Sequence, residues 1–318
     1  MADGDPRHWV RATLSGAQIV ALRTRPWADV WRVDADDGRW WLKVNKAMTV
    51  YEPPLLALLG RTGSDLLADA VIHPDRPWSL VRDAGRSVRD QHRGADQETI
   101  IGFWCALMPA YADLQRITEV AGLRAVGVPD LTPSKLVEQF DELLADRRWF
   151  TVEANPEITQ TELARIRASR LALAHAAAEL ETGVPGTIQH DDLHDGNVFL
   201  DTDRTRVIDW GDAVIAHPFA TLRVTLDVLA TVLDLPPDSA PLLQVRDAYL
   251  EPWLVAGESR ADLVRQCDLA IRTGGLIRAV GWARALGDPS SGAALGFSDG
   301  PSGWLQRLAD DLRRPGVW

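Results

Sequence analysis

The sequence predicts an α+β protein in two lobes, a small antiparallel-sheet lobe at the front and a larger, mostly helical lobe behind it. Three observations carry that reading. The chain has 318 residues, and single hydrophobic cores stop growing at roughly 250 to 300 residues, so two lobes are the default. The front part alternates apolar and polar residues in the manner of strands, whereas beyond Gly85 apolar residues recur at the three-and-four spacing of helices. The composition, 46% hydrophobic and 25% charged, is ordinary globular usage with little room for extended disorder.

Between Gln18 and Asn45 the alternation runs on both sides of Asp36-Asp37-Gly38, which predicts a hairpin joining Trp31-Arg32-Val33 to Trp40-Trp41-Leu42-Lys43-Val44. Arg39, Trp41 and Lys43 then share one face, because side chains alternate along a strand. Glu52 precedes Pro53-Pro54 and the run Leu55, Leu56, Leu58 and Leu59. Prolines are tolerated in a first helical turn, whose amides have no helical partner, so Glu52 stands at the start of a short helix. Ala70-Val71-Ile72 and Trp78-Ser79-Leu80-Val81 read as two more strands, and Gly85 punctuates the change of character. The expected division is 1–82 for the first lobe and 83–318 for the second.

The second lobe opens with a helix that buries Ile100, Ile101, Trp104, Leu107, Met108, Tyr111 and Leu114. A second helix follows from Thr132, as cap, and Pro133 through Leu144, and a single long third from Glu162 to Glu181, with Gly183 just past its end. Short strands at Thr187-Ile188-Gln189, Val198-Phe199-Leu200 and Val207-Ile208 then frame a polar cluster, with a turn around Asp201 to Thr205 and Asp209 on the last strand. Helices resume from Leu222 to Leu235, Leu242 to Val255 and Leu263 to Leu286. A Gly, Ser and Pro-rich loop precedes a final helix near Trp304 to Leu312.

The net charge of −11 disfavours a nucleic-acid backbone as partner and is compatible with a cationic substrate. No run of about 18 apolar residues predicts a membrane span, and the first residues lack the basic-then-apolar order of a secretory signal, so a cytoplasmic location is expected. Cys105 and Cys267 sit in apolar, helix-like contexts that favour buried thiols. Lysine appears only as Lys43, Lys46 and Lys135, which makes the strand position of Lys43 worth a mechanistic reading.

The segment His190-Asp191-Asp192-Leu193-His194-Asp195-Gly196-Asn197 puts six polar or charged side chains between two strands, and Ile208-Asp209-Trp210-Gly211 follows it. Transfer of a γ-phosphoryl group from ATP needs one carboxylate to orient the acceptor hydroxyl. It also needs a second carboxylate and an amide oxygen to hold the magnesium ions that neutralise the phosphates. Asp192, Asp209 and Asn197 fit those three roles.

Here the chain resembles the aminoglycoside phosphotransferases and the related choline kinases, a protein-kinase-like superfamily whose catalytic segment reads His-Gly-Asp-Leu-His-x-x-Asn and whose metal segment reads Ile-Asp-Trp or Ile-Asp-Phe. The resemblance implies a bilobal protein-kinase-like fold with ATP, or another NTP, and Mg2+ in the cleft. It implies that Asp192 is the catalytic base or hydroxyl-orienting residue, that Asn197 and Asp209 are the magnesium ligands, and that His190 supports the loop. Trp41-Leu42-Lys43 looks like the strand lysine that grips the α- and β-phosphates, and Glu52 like the helix glutamate that pairs with it. An anion behind such a lysine fixes its rotamer through a charge-assisted bond. The implied acceptor is a hydroxyl of a small molecule, with an aminoglycoside or other antibiotic favoured and a sugar, a choline-like alcohol or another metabolite beside it.

The chain departs from that pattern in places. Asp191 stands where glycine is usual and Asp195 where proline is common, Thr24-Arg25-Pro26-Trp27-Ala28-Asp29 lacks a Gly-x-Gly pattern, and Thr221 stands where a second aspartate braces the loop. Rival readings are a zinc site on His190 and His194, a metal-dependent phosphohydrolase that also uses His175, and a nucleotide-binding pseudokinase. Most of the tryptophans are expected in the core, and Trp41, which shares a face with Lys43, is the exception that could wall a base or a sugar. Asp212, Asp227 and Asp234 are candidates to hold a cationic substrate, although carboxylates on exposed helical faces are usually just solvated.

Overall fold

A hairpin with a turn of two aspartates begins the sheet. Strands β2 (Ala28–Ala35) and β3 (Gly38–Asn45) pair antiparallel with Ala35 opposite Gly38, and Gly38 adopts a φ of +124° that a side chain would resist. With β1 (Gln18–Thr24), β4 (Ala70–Ile72) and β5 (Trp78–Arg82) they form one antiparallel sheet in the order β1-β2-β3-β5-β4. The structure, a computed structural model, describes residues 4–150, 158–201, 204–256, 258–290, 296–297 and 300–314.

Alternation along β2 and β3 gives this sheet two different faces. Val33, Trp40, Leu42 and Leu80 are buried on one of them beneath helix α1 (Pro6–Thr13), which contributes Val10. The sequence pattern did not announce α1, since Val10 is its one buried residue. It begins where Asp5 accepts the Arg7 backbone N–H at 2.9 Å. Trp41 and Lys43 lie on the opposite face, toward the rest of the molecule. Helix α2 (Glu52–Gly60) starts at Glu52, with Pro53 and Pro54 in its first turn.

The remaining elements are β6 (Arg86–Ser87), α3 (Val88–Gln91), α4 (Gln97–Ile117), α5 (Val120–Ala125), α6 (Pro133–Ala145), α7 (Gln160–Ala168), α8 (Arg170–Glu181), β7 (Thr187–Gln189), β8 (Val198–Asp201), β9 (Arg204–Val207), β10 (Val214–Ala216), α9 (Leu222–Leu233), α10 (Ala240–Leu250), α11 (Arg260–Leu286) and α12 (Gly300–Asp311). Two small antiparallel sheets, β6-β8-β9 and β7-β10, sit among the helices. Helix α4 buries all seven apolar residues of the predicted face, with Trp104, Met108 and Tyr111 at most 1% exposed. The architecture is the two-part, kinase-like α+β fold that the sequence predicts.

Several elements differ from the expectation. The single helix from Glu162 to Glu181 is two helices, because Ser169 ends α7: its backbone N–H and its hydroxyl both donate to the Ile166 carbonyl, the latter at 2.7 Å. Thr132 stands at the cap of α6 without capping it, its hydroxyl donating to Asp130 at 2.7 Å instead. Helix α10 stops at Leu250, ahead of Pro252, and a 3-10 turn carries the chain on. Asp209 lies beyond the end of β9, with φ +64°. Parts of the expected turn after Asp201 and of the loop before α12 lie outside the described residues. No described helix is long and apolar enough to cross a membrane.

Candidate active site

The segment from His190 to Asn197 leaves β7 and enters β8, and buried bonds fix its path. The His190 backbone N–H donates to the Tyr111 hydroxyl at 2.9 Å, and its Nε2 meets the Ile208 carbonyl at 2.9 Å. Its Nδ1 accepts the Asp192 backbone N–H at 3.3 Å, so the proton sits on Nε2. Burial pushes this imidazole down to about 4 and keeps it neutral. His190 is wholly buried, edge-on to Trp210, and ties the segment to the exit of β9. Thr221 is buried too, 3.5 Å from the same Tyr111 hydroxyl.

The β8–β9 hairpin sets Asn197 beside the Ile208-Asp209 step: Val198 pairs with Val207, and the Ile208 N–H donates to the Asn197 carbonyl at 3.0 Å. Asn197 Nδ2 donates to the Asp192 carbonyl at 2.9 Å and to its Oδ2 at 3.1 Å, which leaves the Asn197 amide oxygen for another partner. Asp209 Oδ1 lies 2.5 Å from Lys43 Nζ, and Glu52 Oε2 lies 2.7 Å from the same nitrogen. Glu52 is 2% exposed. Burial works against the charge on Lys43, but the Asp209 and Glu52 carboxylates outweigh it and hold the ammonium above its ordinary range. Lys43, Glu52 and Asp209 therefore form one cluster, with Asn197 and Asp192 beside it.

The structure adds a residue that the sequence reading missed. Arg278, on α11, is 7% exposed at its side chain and reaches three carboxylates: Asp192 at 3.0 Å, Asp191 at 3.2 Å and Asp212 at 3.7 Å. Burial alone would raise the Asp192 pKa, but Arg278 and then His194 hold it well below the usual carboxylate range. Burial prevails at Asp191, pushed up to about 7, and at Asp212, pushed up to about 6, against the same guanidinium. Asp195, the other unusual carboxylate, is taken by Arg89 at 2.7 Å. His194 accepts the Gly196 N–H on Nδ1 at 2.9 Å, which puts its proton on Nε2, 3.4 Å from Asp192 Oδ2.

Two cavities meet at this cluster. One, of about 260 Å³, lies between the large sheet and the β8–β9 hairpin; Val30, Trp41, Val81, Phe199 and Ile208 wall it, with Lys43, Glu52 and Asp209 also lining it. The Trp41 indole N–H donates to Asp83 at 2.6 Å. The other, of about 280 Å³, is lined by Asp192, His194, Asp209, Asp212 and Arg278, with Trp27 and Trp282 as apolar walls. Asp209 and Trp27 belong to both. Asp212, one of the candidates for holding a cationic substrate, lines the second cavity. Asp227 is paired with Arg223 at 3.0 Å, and neither it nor Asp234 lines either cavity.

The two metal-based rival readings, the zinc site and the phosphohydrolase, gain nothing from this geometry. Both ring nitrogens of His190 are engaged within the protein, and His175 is exposed on α8. Among the described residues, no group of three or more His, Cys, Asp or Glu side chains is arranged to hold a metal ion.

A lysine braced by a buried glutamate over an apolar cleft and paired with an aspartate is an arrangement suited to a kinase-like phosphotransferase. The sequence matches the phosphotransferase enzyme family over residues 28–264, and the chain belongs to that family. It is therefore a phosphotransferase. No curated protein sequence matches it significantly. Among solved structures it is similar to an ethanolamine kinase of Plasmodium vivax, with a TM-score of 0.62 and 11% identity over 93% of this chain and 82% of that one. It is also similar to the macrolide 2'-phosphotransferase MphH of Brachybacterium faecium, with a TM-score of 0.57 and 19% identity over 98% and 99%. A choline kinase of Cryptosporidium parvum gives 0.61 and 12% over 95% of each chain. At these identities the likeness is one of fold.

Proposed function

We propose that the protein transfers the γ-phosphoryl group of ATP, with Mg2+, to a hydroxyl of a small molecule, for which an aminoglycoside or other antibiotic is the favoured acceptor. The observation that carries this reading is the meeting of two cavities at Asp209, one holding Lys43 and the other Asp192. Residues 1–82 form the nucleotide lobe and 83–318 the lobe that carries the loop and the acceptor cavity. Aminoglycoside and macrolide phosphotransferases among the proteins of similar fold support the antibiotic. The ethanolamine and choline kinases put amino alcohols in the same screen.

The donor set fits the nucleotide and metal. The Asn197 amide oxygen and the Asp209 carboxylate are hard oxygen donors beside each other, the type that magnesium takes together with phosphate oxygens. When bound, magnesium neutralises charge on the phosphates. Lys43, its rotamer fixed by Glu52, holds the α- and β-phosphates. Trp41 and Val30 cover the base from the sheet side, with Ile208 and Phe199 opposite. Asp192 accepts a hydrogen bond from the acceptor hydroxyl and receives its proton as the new O–P bond forms and the bond from the γ-phosphorus to the bridging oxygen breaks, ADP leaving with that oxygen. Paired with Arg278 it is a weak base, so its main contribution is to aim the hydroxyl at the phosphorus. His190 keeps the loop in place from below.

ATP with magnesium should raise the midpoint of thermal unfolding, and ADP release should appear when aminoglycosides, other antibiotics, sugars and amino alcohols are screened. Asp192→Asn should keep the thermal shift and lose turnover by about 10²- to 10⁴-fold, the usual contribution of a positioned base. Full transfer by that variant would refute the assignment.

A further inference from the structure

Asp191 holds a carboxylate where backbone geometry favours glycine. Its φ is +64°, in the left-handed region that costs a residue with a Cβ roughly 1 kcal/mol, yet it is 3% exposed and bonded through both main chain and side chain. Arg278 Nη1 donates to the Asp191 carbonyl at 2.8 Å and to its Oδ2 at 3.2 Å, while Nη2 holds Asp192 Oδ1 at 3.0 Å. Gly281, three residues further along α11, leaves space for this contact; a Cβ there would stand 3.2 Å from Asp191 Oδ2. The Trp304 ring lies 5.8 Å from the Arg278 guanidinium carbon.

We propose that Asp191 and Arg278 form a positioning pair for the reaction: Asp191 anchors one edge of the guanidinium so that the other edge fixes Asp192 Oδ1 at the acceptor cavity. The pair deepens the function proposed above and rests on Asp192 as the base. A planar guanidinium can bridge two carboxylates in one fixed geometry, and an ammonium, a single point of charge, cannot. Without the Asp191 carboxylate, Nη1 keeps only the carbonyl at that position and is freer to turn toward Asp212, 3.7 Å away. Asp192 then loses its fixed direction but not its charge.

The test uses the full chain and measures ADP release from ATP and magnesium with water as the acceptor. Asp191→Gly removes the left-handed strain, so its unfolding midpoint should match or exceed that of the unaltered protein. Its kcat should fall about tenfold, part of what a positioned base supplies, with KM for ATP unchanged. Arg278→Lys should lose a similar factor. Arg278→Ala should lose more, and added guanidinium ion at millimolar concentration should restore part of its kcat. An unchanged kcat in folded Asp191→Gly, a loss confined to KM, or a folded Arg278→Ala that guanidinium does not restore would each overturn the pair. Asp192→Asn, run alongside, separates the two ideas: if it turns over normally, the underlying assignment fails whatever happens at position 191.

Discussion

Lys43 carries two carboxylates on one nitrogen, and they differ in kind. Glu52 is buried and permanent; Asp209 has 43% of its side chain exposed at the junction of the two cavities. Glu52→Gln keeps the shape but removes the anion that fixes the lysine. KM for ATP should rise about tenfold or more, a loss of about 1.5 kcal/mol at the low end for a bond to a charged group, as measured by steady-state ADP release. These residues were visible in the sequence because each sits in a short pattern with its neighbours: a strand lysine, a helix-start glutamate, a loop ending in asparagine, and Asp209 shortly after. Arg278 left no such mark. It is one arginine in a chain where arginine supplies nearly all the basic residues, on a long helix, and its carboxylate partner Asp191 is 87 positions away. Only packing reveals it.

Among the elements, turns and short connections decide more than helices. Gly85 has φ +87°, and a Cβ there would collide with the Leu200 carbonyl oxygen in the β8 strand beneath. Gly85→Ala should therefore lower stability by about 2 kcal/mol or more in urea unfolding, since both backbone strain and a main-chain clash oppose it. His217 opens the turn before α9, and burial pushes its imidazole down to about 4 from the ordinary 6.5. The unfolded chain takes up that proton first. Stability from this group is complete above pH 6.5 and declines as pH falls toward 4, by about 2 kcal/mol at pH 5. Urea unfolding at pH 7.5 and pH 5 should show a shallower decline in His217→Gln. The period-two alternation of β2 and β3 and the seven-residue face of α4 could be read directly, because burial imposes those patterns. Helix α1 and the break at Ser169 could not, since one depends on a single buried valine and the other on a hydroxyl that takes its own helix's carbonyl.

At the scale of the molecule, the proposed nucleotide cleft joins a sheet from the front of the chain to a hairpin from its middle. A ligand that bridges them binds only the folded form. ATP with magnesium at a hundred times its Kd should add about 2.7 kcal/mol to stability, and Asp209→Asn, which removes a proposed metal donor, should reduce the magnesium-dependent part of the thermal shift. The division into a sheet-rich front and a helical remainder was legible from composition and period alone. The proposed acceptor cavity was not, because it is assembled from Trp27, the loop after β7 and Trp282, which are distant in sequence.

The guanidinium that holds Asp191 and Asp192 belongs to a helix beginning at Arg260, and Arg278 itself lies beyond the last residue of the family match, at 264. During synthesis on the ribosome the loop is therefore complete long before its cation emerges. Until then Asp191 and Asp192 have no guanidinium between them, and burying both there is unfavourable. The loop should settle only when α11 docks, which couples the onset of activity to a helix made well after the loop itself. A nascent chain stalled short of α11 would already carry every motif residue, yet its catalytic loop would remain loose.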